Sequence, residues 1–248
     1  MNSSSRKIAY ILGAGFSYGT GHRARIGQGI INMPLQNTLL KELCVFNHKK
    51  IDKLNNVTKY IRKYFNPNTY RSQRERGSKR HQDLFGLSIE EIVTFFDEFL
   101  RTDHADKEKI REVVSDLQSM TAELISYLSE KGNPGHNSLL KKFVERVAQT
   151  DVLITFNWDT ILDRALANNK RKKGQRFWNP EWGYGQTVRK TFAYRRRERS
   201  RSKCPKKYTK FLKLHGSINW IANTNKTINS KIITKRWKLN KEKHKKLL

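Results

Sequence analysis

Three short apolar runs constrain this chain more than any other feature: Lys7 to Leu12 (KIAYIL), Asp151 to Thr155 (DVLIT) and Lys210 to Leu214 (KFLKL). The first closes on Gly13, the second runs into Asn157 and Asp159, and the third ends at His215 and Gly216. Apolar runs of this length, bounded by turn residues, read as buried strands of a parallel sheet. In such a sheet ligands bind beyond the carboxyl ends of the strands. All three runs therefore deliver their special residues to one edge of one sheet, and the expected fold class is α/β.

The stretches between the runs carry helical spacing. From Pro34, MPLQNTLLKEL repeats Leu35, Leu39, Leu40 and Leu43 at helical intervals, and a further helix is expected through Tyr60 to Tyr64, before a polar, basic loop. Ser88 with Glu91 forms a capping box ahead of Ile89, Ile92, Val93, Phe96 and Phe99. A long amphipathic helix is predicted from Lys107 to Lys131, with Ile110, Val113, Val114, Leu117, Leu124 and Leu128 inward, ended by Gly132 and Pro134. Helices over Ser138 to Gln149 and Thr160 to Ala167 flank the second strand. Residues 1–248 are read as a single domain in which 34–136 includes a helical insertion lobe.

The chain has 248 residues, 36% of them apolar, enough for one core with a small satellite lobe. Its net charge of +29 attracts polyanions such as nucleic acid or phosphate-bearing ligands. That charge is uneven: Lys170 to Lys213 holds 17 Lys and Arg against Glu181 and Glu198, and the tail from Lys226 is again Lys-rich. Two readings of the basic insertion (170–210) and the basic tail (226–248) stay open, a solvated segment or a nucleic-acid contact with Phe192, Tyr194 and Tyr208 available for stacking. Cys44 and Cys204 can build neither a disulfide framework nor a four-cysteine zinc site. A reducing, cytoplasmic setting is expected. No signal peptide or membrane span is read, and the scattered histidines show no metal-ligand spacing, so no metal is expected.

Three motifs carry the chemistry. Gly13, Ala14, Gly15, Phe16 and Ser17 stand where a strand turns into a helix, a place where glycine lets backbone N–H groups approach a pyrophosphate. The spacing is not the full G-x-G-x-x-G of dinucleotide folds. Asn157 in TFNWD can orient a water or a ribose hydroxyl, and Asp159 can cap the helix that follows, with capping its leading role. His215 in KLHGSINW has a pKa range suited to general-base work.

Taken in order, GAGFS, TFNWD and LHGSINW resemble the sirtuin-like family, in particular its prokaryotic branch of NAD-consuming effectors in anti-phage defence. SIEEIVTFFDE and NPEWGYG resemble stretches at the same relative positions, so the likeness covers nearly the whole chain. The resemblance implies a Rossmann-type sheet, of the kind shared by NAD- and FAD-binding domains, with a helical insertion. It implies NAD as substrate, cleaved to nicotinamide and ADP-ribose without a metal, with Asn157 and His215 as the catalytic pair. Gly13, Ala14, Gly15, Phe16, Ser17, Asp159, Gly216 and Ser217 would contact the dinucleotide. A homo-oligomer or a defence-complex partner is also implied. The absent cysteines argue against protein deacylation. The family's proline close after the glycine turn is displaced here to Pro34. Members of the family continue past a segment like IITKRWKLNKEKHKKLL into a helix and a last strand with a G-Y-S type turn, so the sheet is expected to be truncated at its C-terminal end.

Overall fold

The computed structural model describes residues 7–26, 29–46, 51–66, 84, 86–103, 105–131, 133–134, 138–169, 178, 184, 188–189, 209–214, 217, 220–222 and 232–234. In chain order the strands are β1 (Ala9–Leu12), β2 (His22–Ile26), β3 (Gly29–Asn32), β4 (Asn133–Pro134), β5 (Val152–Thr155), β6 (Val188–Arg189), β7 (Lys210–Lys213), β8 (Trp220–Ala222) and β9 (Ile232–Thr234). The helices are α1 (Ala14–Gly19), α2 (Leu39–Phe46), α3 (Ile51–Phe65), α4 (Ile89–Arg101), α5 (Lys107–Lys131), α6 (Ser138–Arg146) and α7 (Ile161–Asn168). The chain forms two compact units, one of residues 1–22 with 125–247 and one of 23–124, the division falling within α5. The fold is mixed α/β, with a small parallel three-stranded sheet and several helices.

The sheet unit is built on the three apolar runs. β5 pairs in parallel with β1 on one side and β7 on the other, in the order β1-β5-β7. Asp151, buried just ahead of β5, fixes the start of the ladder: its carboxylate accepts the Ile8 N–H at 3.0 Å and the Ala148 N–H at 2.8 Å. The register places Tyr10, Leu153 and Phe211 in one row and Leu12, Thr155 and Lys213 in the next, all on the same face. Helix α6 covers that face, with Phe143 edge-on to Tyr10 at 5.3 Å, and α7 packs against α6.

The opposite face carries Ala9, Ile11, Val152, Ile154, Phe156, Lys210, Leu212 and Leu214. It is apolar apart from Lys210, yet open, with Ile11 71% and Leu214 58% exposed. Crossovers are right-handed, so strands added in one direction across a sheet stack their helices on one side. β1, β5 and β7 step in one direction across the sheet. A second sheet of this unit, in the order β6-β9-β8, draws strands from within the basic insertion and the tail.

The other unit is mainly helical. α3 buries Leu54, Val57, Tyr60 and Ile61 at spacings of three and four, and α4 buries Ile92 and Phe96. The predicted inward face of α5 is buried at all six positions, across the part of the helix in each unit. The antiparallel pair β2–β3 falls in the segment from His22 to Met33, for which the sequence suggested no element; HRARI alternates buried and exposed positions, a short strand signal that two arginines obscure. α3 starts nine residues before the expected helix core at Tyr60. The capping box at Ser88 does not form: Ser88 makes no side-chain cap hydrogen bond, while the Ile89 N–H, which a cap side chain would not take, donates to the Gln36 carbonyl at 3.4 Å.

Phe211 is fully buried, whereas Ile11 lies on the open face of the same sheet. Phe211→Ala is expected to cost about 3–5 kcal/mol of stability, and Ile11→Ala within about 0.5 kcal/mol, both read from urea unfolding curves.

Candidate functional site

The carboxyl ends of β1 and β5 lie side by side because the two strands pair in parallel through Leu12 and Thr155, and the Phe156 N–H reaches the Leu12 carbonyl at 3.2 Å. The chain then diverges: β1 passes through Gly13 into α1, and β5 passes through Asn157 and Asp159 into α7. These two exits meet in a chain of hydrogen bonds. The Asn157 side-chain amide donates to the Gly13 carbonyl at 2.9 Å and to the Ser17 hydroxyl at 2.8 Å. Ser17, buried within α1, donates in turn to the Asp159 carboxylate at 2.7 Å.

This pattern fixes how Asn157 can act. The Gly13 carbonyl only accepts, so the amide nitrogen must face it, and both amide protons are spent on Gly13 and Ser17. The Asn157 carbonyl oxygen has no partner among the described residues. Asn157 thus offers an acceptor, suited to a water or hydroxyl, from a half-buried position.

Asp159 is committed inward. One oxygen takes the Ser17 hydroxyl, the other takes the Ile161 N–H at 3.0 Å at the start of α7, and the residue is buried. Its carbonyl oxygen accepts from the ammonium of Lys213, which also donates to Asp163 at 3.1 Å; the second Asp163 oxygen accepts from the Tyr184 hydroxyl. Trp178, Tyr184 and Phe211 wall this charged pair with ring centroids 4.9 to 5.8 Å apart. Burial pushes the Asp163 carboxyl up, against the pull of Lys213 and the Tyr184 hydrogen bond.

Gly13 and Gly15 are exposed, and a Cβ built on either would meet nothing within 4 Å. Gly13 has an extended backbone, with φ −109°, and α1 has no side-chain cap there. Neither packing nor conformation among the described residues demands glycine at these places. Ala14 is half-buried. Phe16 turns away into packing, edge-on to Phe143 at 5.1 Å. Ser217 donates to the Trp158 carbonyl at 3.2 Å, which ties the segment after β7 to the same turn. His215 and Gly216 lie outside the described residues, as does most of 170–210 and 226–248. The Trp158 Nε1 and the Thr160 hydroxyl are buried with no partner among the described residues, so the turn holds unspent hydrogen-bonding capacity.

Four residues the sequence left unremarked belong to this neighbourhood. Lys213 and Phe211 share the helix-covered face of β7, so a lysine in register with buried positions was the available signal. Asp163 and Tyr184 had none. His22 was read as one of several scattered histidines; it is buried, and its Nδ1 lies 2.8 Å from the Thr20 hydroxyl. That hydroxyl donates its single proton to the Ser17 carbonyl at 2.6 Å, so His22 Nδ1 must be the donor. Among the described residues no group of three or more His, Cys, Asp or Glu is placed to hold a metal, and no helix is long and apolar enough to cross a membrane.

Comparison with protein-family models found no match, and comparison with curated proteins found none.

Burial lowers the His22 pKa below its ordinary 6.5, with Asp159 opposing and Arg164 reinforcing. The folded state prefers the neutral ring, so the stability this provides is present above pH 6.5 and is lost as pH falls through the lowered value. His22→Asn keeps an N–H donor for Thr20 and removes the titration. Thermal unfolding across mildly acidic pH is expected to depend less steeply on pH in His22→Asn than in the unaltered chain.

Proposed function

We propose that this chain is an NAD glycohydrolase of sirtuin-like type, in which Asn157 orients the water that attacks the ribose as nicotinamide leaves. The observation that carries the reading is the fixed amide of Asn157. With both protons bound to Gly13 and Ser17, its oxygen is held as an acceptor at the carboxyl edge of a parallel sheet, where such sheets take ligands. A water hydrogen-bonded to that oxygen has a lone pair free for attack on C1′ of the ribose.

In the reaction the water oxygen bonds to C1′ while the C1′–nitrogen bond breaks, and its electron pair returns to the pyridinium ring, releasing neutral nicotinamide. The attacking water gives up its proton to His215 as general base. Dipoles held in advance around the oxocarbenium-like centre stabilise it without reorganising.

The residues at the glycine turn fit a dinucleotide. The open space at Gly13 and Gly15 and the first N–H groups of α1 suit a pyrophosphate, with Ala14 at the same edge. Asp159 supports this site from behind, by holding Ser17. Phe16 supports it by packing, and Gly216 and Ser217 would line its far side. On this reading the parallel sheet belongs to a Rossmann-type fold, and the protein acts in the cytoplasm as a defence effector, with a homo-oligomeric or complex partner.

A second reading rests on a specific feature, the charge of 170–210: a silent module that holds nucleic acid. The two are separated by assaying nicotinamide release from NAD with the purified chain, its folding checked by circular dichroism. Turnover should fall at least about 100-fold in Asn157→Ala and in His215→Ala. A folded chain that releases no nicotinamide, yet binds single-stranded DNA with steep salt dependence, would replace the hydrolase with the binding module.

A further inference from the structure

We propose that Lys213 is a positioning residue for Asn157, acting with Asp163 and Tyr184 from inside the sheet unit. The inference rests on the reading of Asn157 as the residue that orients the attacking water.

Lys213 stands in β7 opposite Thr155, and its side chain is 0% exposed while that of Asp163 is 1% exposed. Removing an ammonium and a carboxylate from water is costly, and apolar residues of similar size would fill the same space more cheaply. What an apolar residue cannot do is bind a backbone carbonyl. The Lys213 ammonium donates to the carbonyl of Asp159, two residues beyond Asn157.

That carbonyl is the pivot of the turn. On its own residue, the carboxylate holds the Ser17 hydroxyl, and the Ser17 oxygen receives one of the two protons of the Asn157 amide. Displacing Asp159 therefore moves Ser17's partner, and with it the bond that decides which way Asn157 faces. Asp163 keeps the ammonium aimed, the Tyr184 hydroxyl holds the second Asp163 oxygen, and Phe211 places its ring 5.7 Å beneath the Lys213 nitrogen. The network touches neither the open edge at Gly13 and Gly15 nor the Asn157 oxygen itself. It acts through the turn.

The test uses the full chain. Lys213→Met combined with Asp163→Leu removes both charges together, so neither is left buried and alone. The direct readout is the side-chain amide signals of Asn157 in protein labelled with 15N-asparagine, assigned by their disappearance in Asn157→Ala. The two amide protons should be well separated and slow to exchange in the unaltered chain, and should move toward the values of a free asparagine in the double variant while its circular dichroism is retained.

The second readout is catalytic. kcat for nicotinamide release should fall about 100-fold in the double variant with KM for NAD changed less than about threefold, and Lys213→Arg should recover part of the loss. Unchanged Asn157 amide signals in a folded double variant, or a kcat within about twofold of the unaltered chain, would overturn the proposal. Should the double variant not fold, Tyr184→Phe is read in its place: a change in the Asn157 signals upholds the proposal and their constancy rejects it. A chain that never releases nicotinamide sinks the hydrolase reading, while the amide signals still decide whether Lys213 positions Asn157.

Discussion

The site depends on β5 being paired along both edges. Four residues, Val152 to Thr155, hold β1 on one side and β7 on the other, and Gly13, Asn157 and Asp159 follow from the ends of β1 and β5. Parallel pairing is what makes this work, since it brings three carboxyl ends to one edge; an antiparallel arrangement would have sent the middle one to the far side. Asp151 helps set the register at the start by binding the Ile8 N–H ahead of β1 while held to the Ala148 N–H of its own turn, and a slip of β5 by one residue would turn Thr155 to the opposite face.

Beneath that edge lies a fully buried ion pair. The Lys213–Asp163 pair adds little net stability, yet removing either partner alone would cost about 3–5 kcal/mol because the other would remain buried. The aromatic wall of Trp178, Tyr184 and Phe211 deepens the desolvation and strengthens the pair's mutual attraction at the same time. His22 and Thr20 add a second buried polar contact at the far end of α1, through the Ser17 carbonyl. Ser17 is thus gripped from its side chain and from its backbone, which is why its hydroxyl can serve as a fixed relay between Asn157 and Asp159.

Much of the frame was legible in the amino-acid order. The three apolar runs became the parallel sheet, Lys107 to Lys131 became one helix with the expected face buried, and Asp159 binds the first turn of α7 as a capping residue would. What escaped did so for physical reasons. A strand such as HRARI hides its period because the exposed positions are arginines, and Ser88 precedes α4 without making the side-chain cap bond its pattern with Glu91 predicts. The site divided in the same way. GAGFS and TFNWD could be seen to face one edge, but no local pattern could show that the Asn157 amide would be consumed by Gly13 and Ser17, or that Asp163 and Tyr184 would meet Lys213 from 50 and 29 residues away in sequence. Such contacts are properties of topology.

The wide separation of β1 from its partner also sets an order of assembly. Ile8 and Asp151, whose contact starts the ladder, are 143 residues apart, and the whole of the helical unit lies between them. At about 5–20 residues per second of synthesis, β1 waits roughly 7–30 s for β5 to exist. The helical unit, one continuous stretch, is complete before then. Closing so long a loop costs less if the intervening chain is already compact, because fewer free residues then separate the two ends. A helical unit that folds as it emerges would leave β1 fewer free residues to search across before it meets β5.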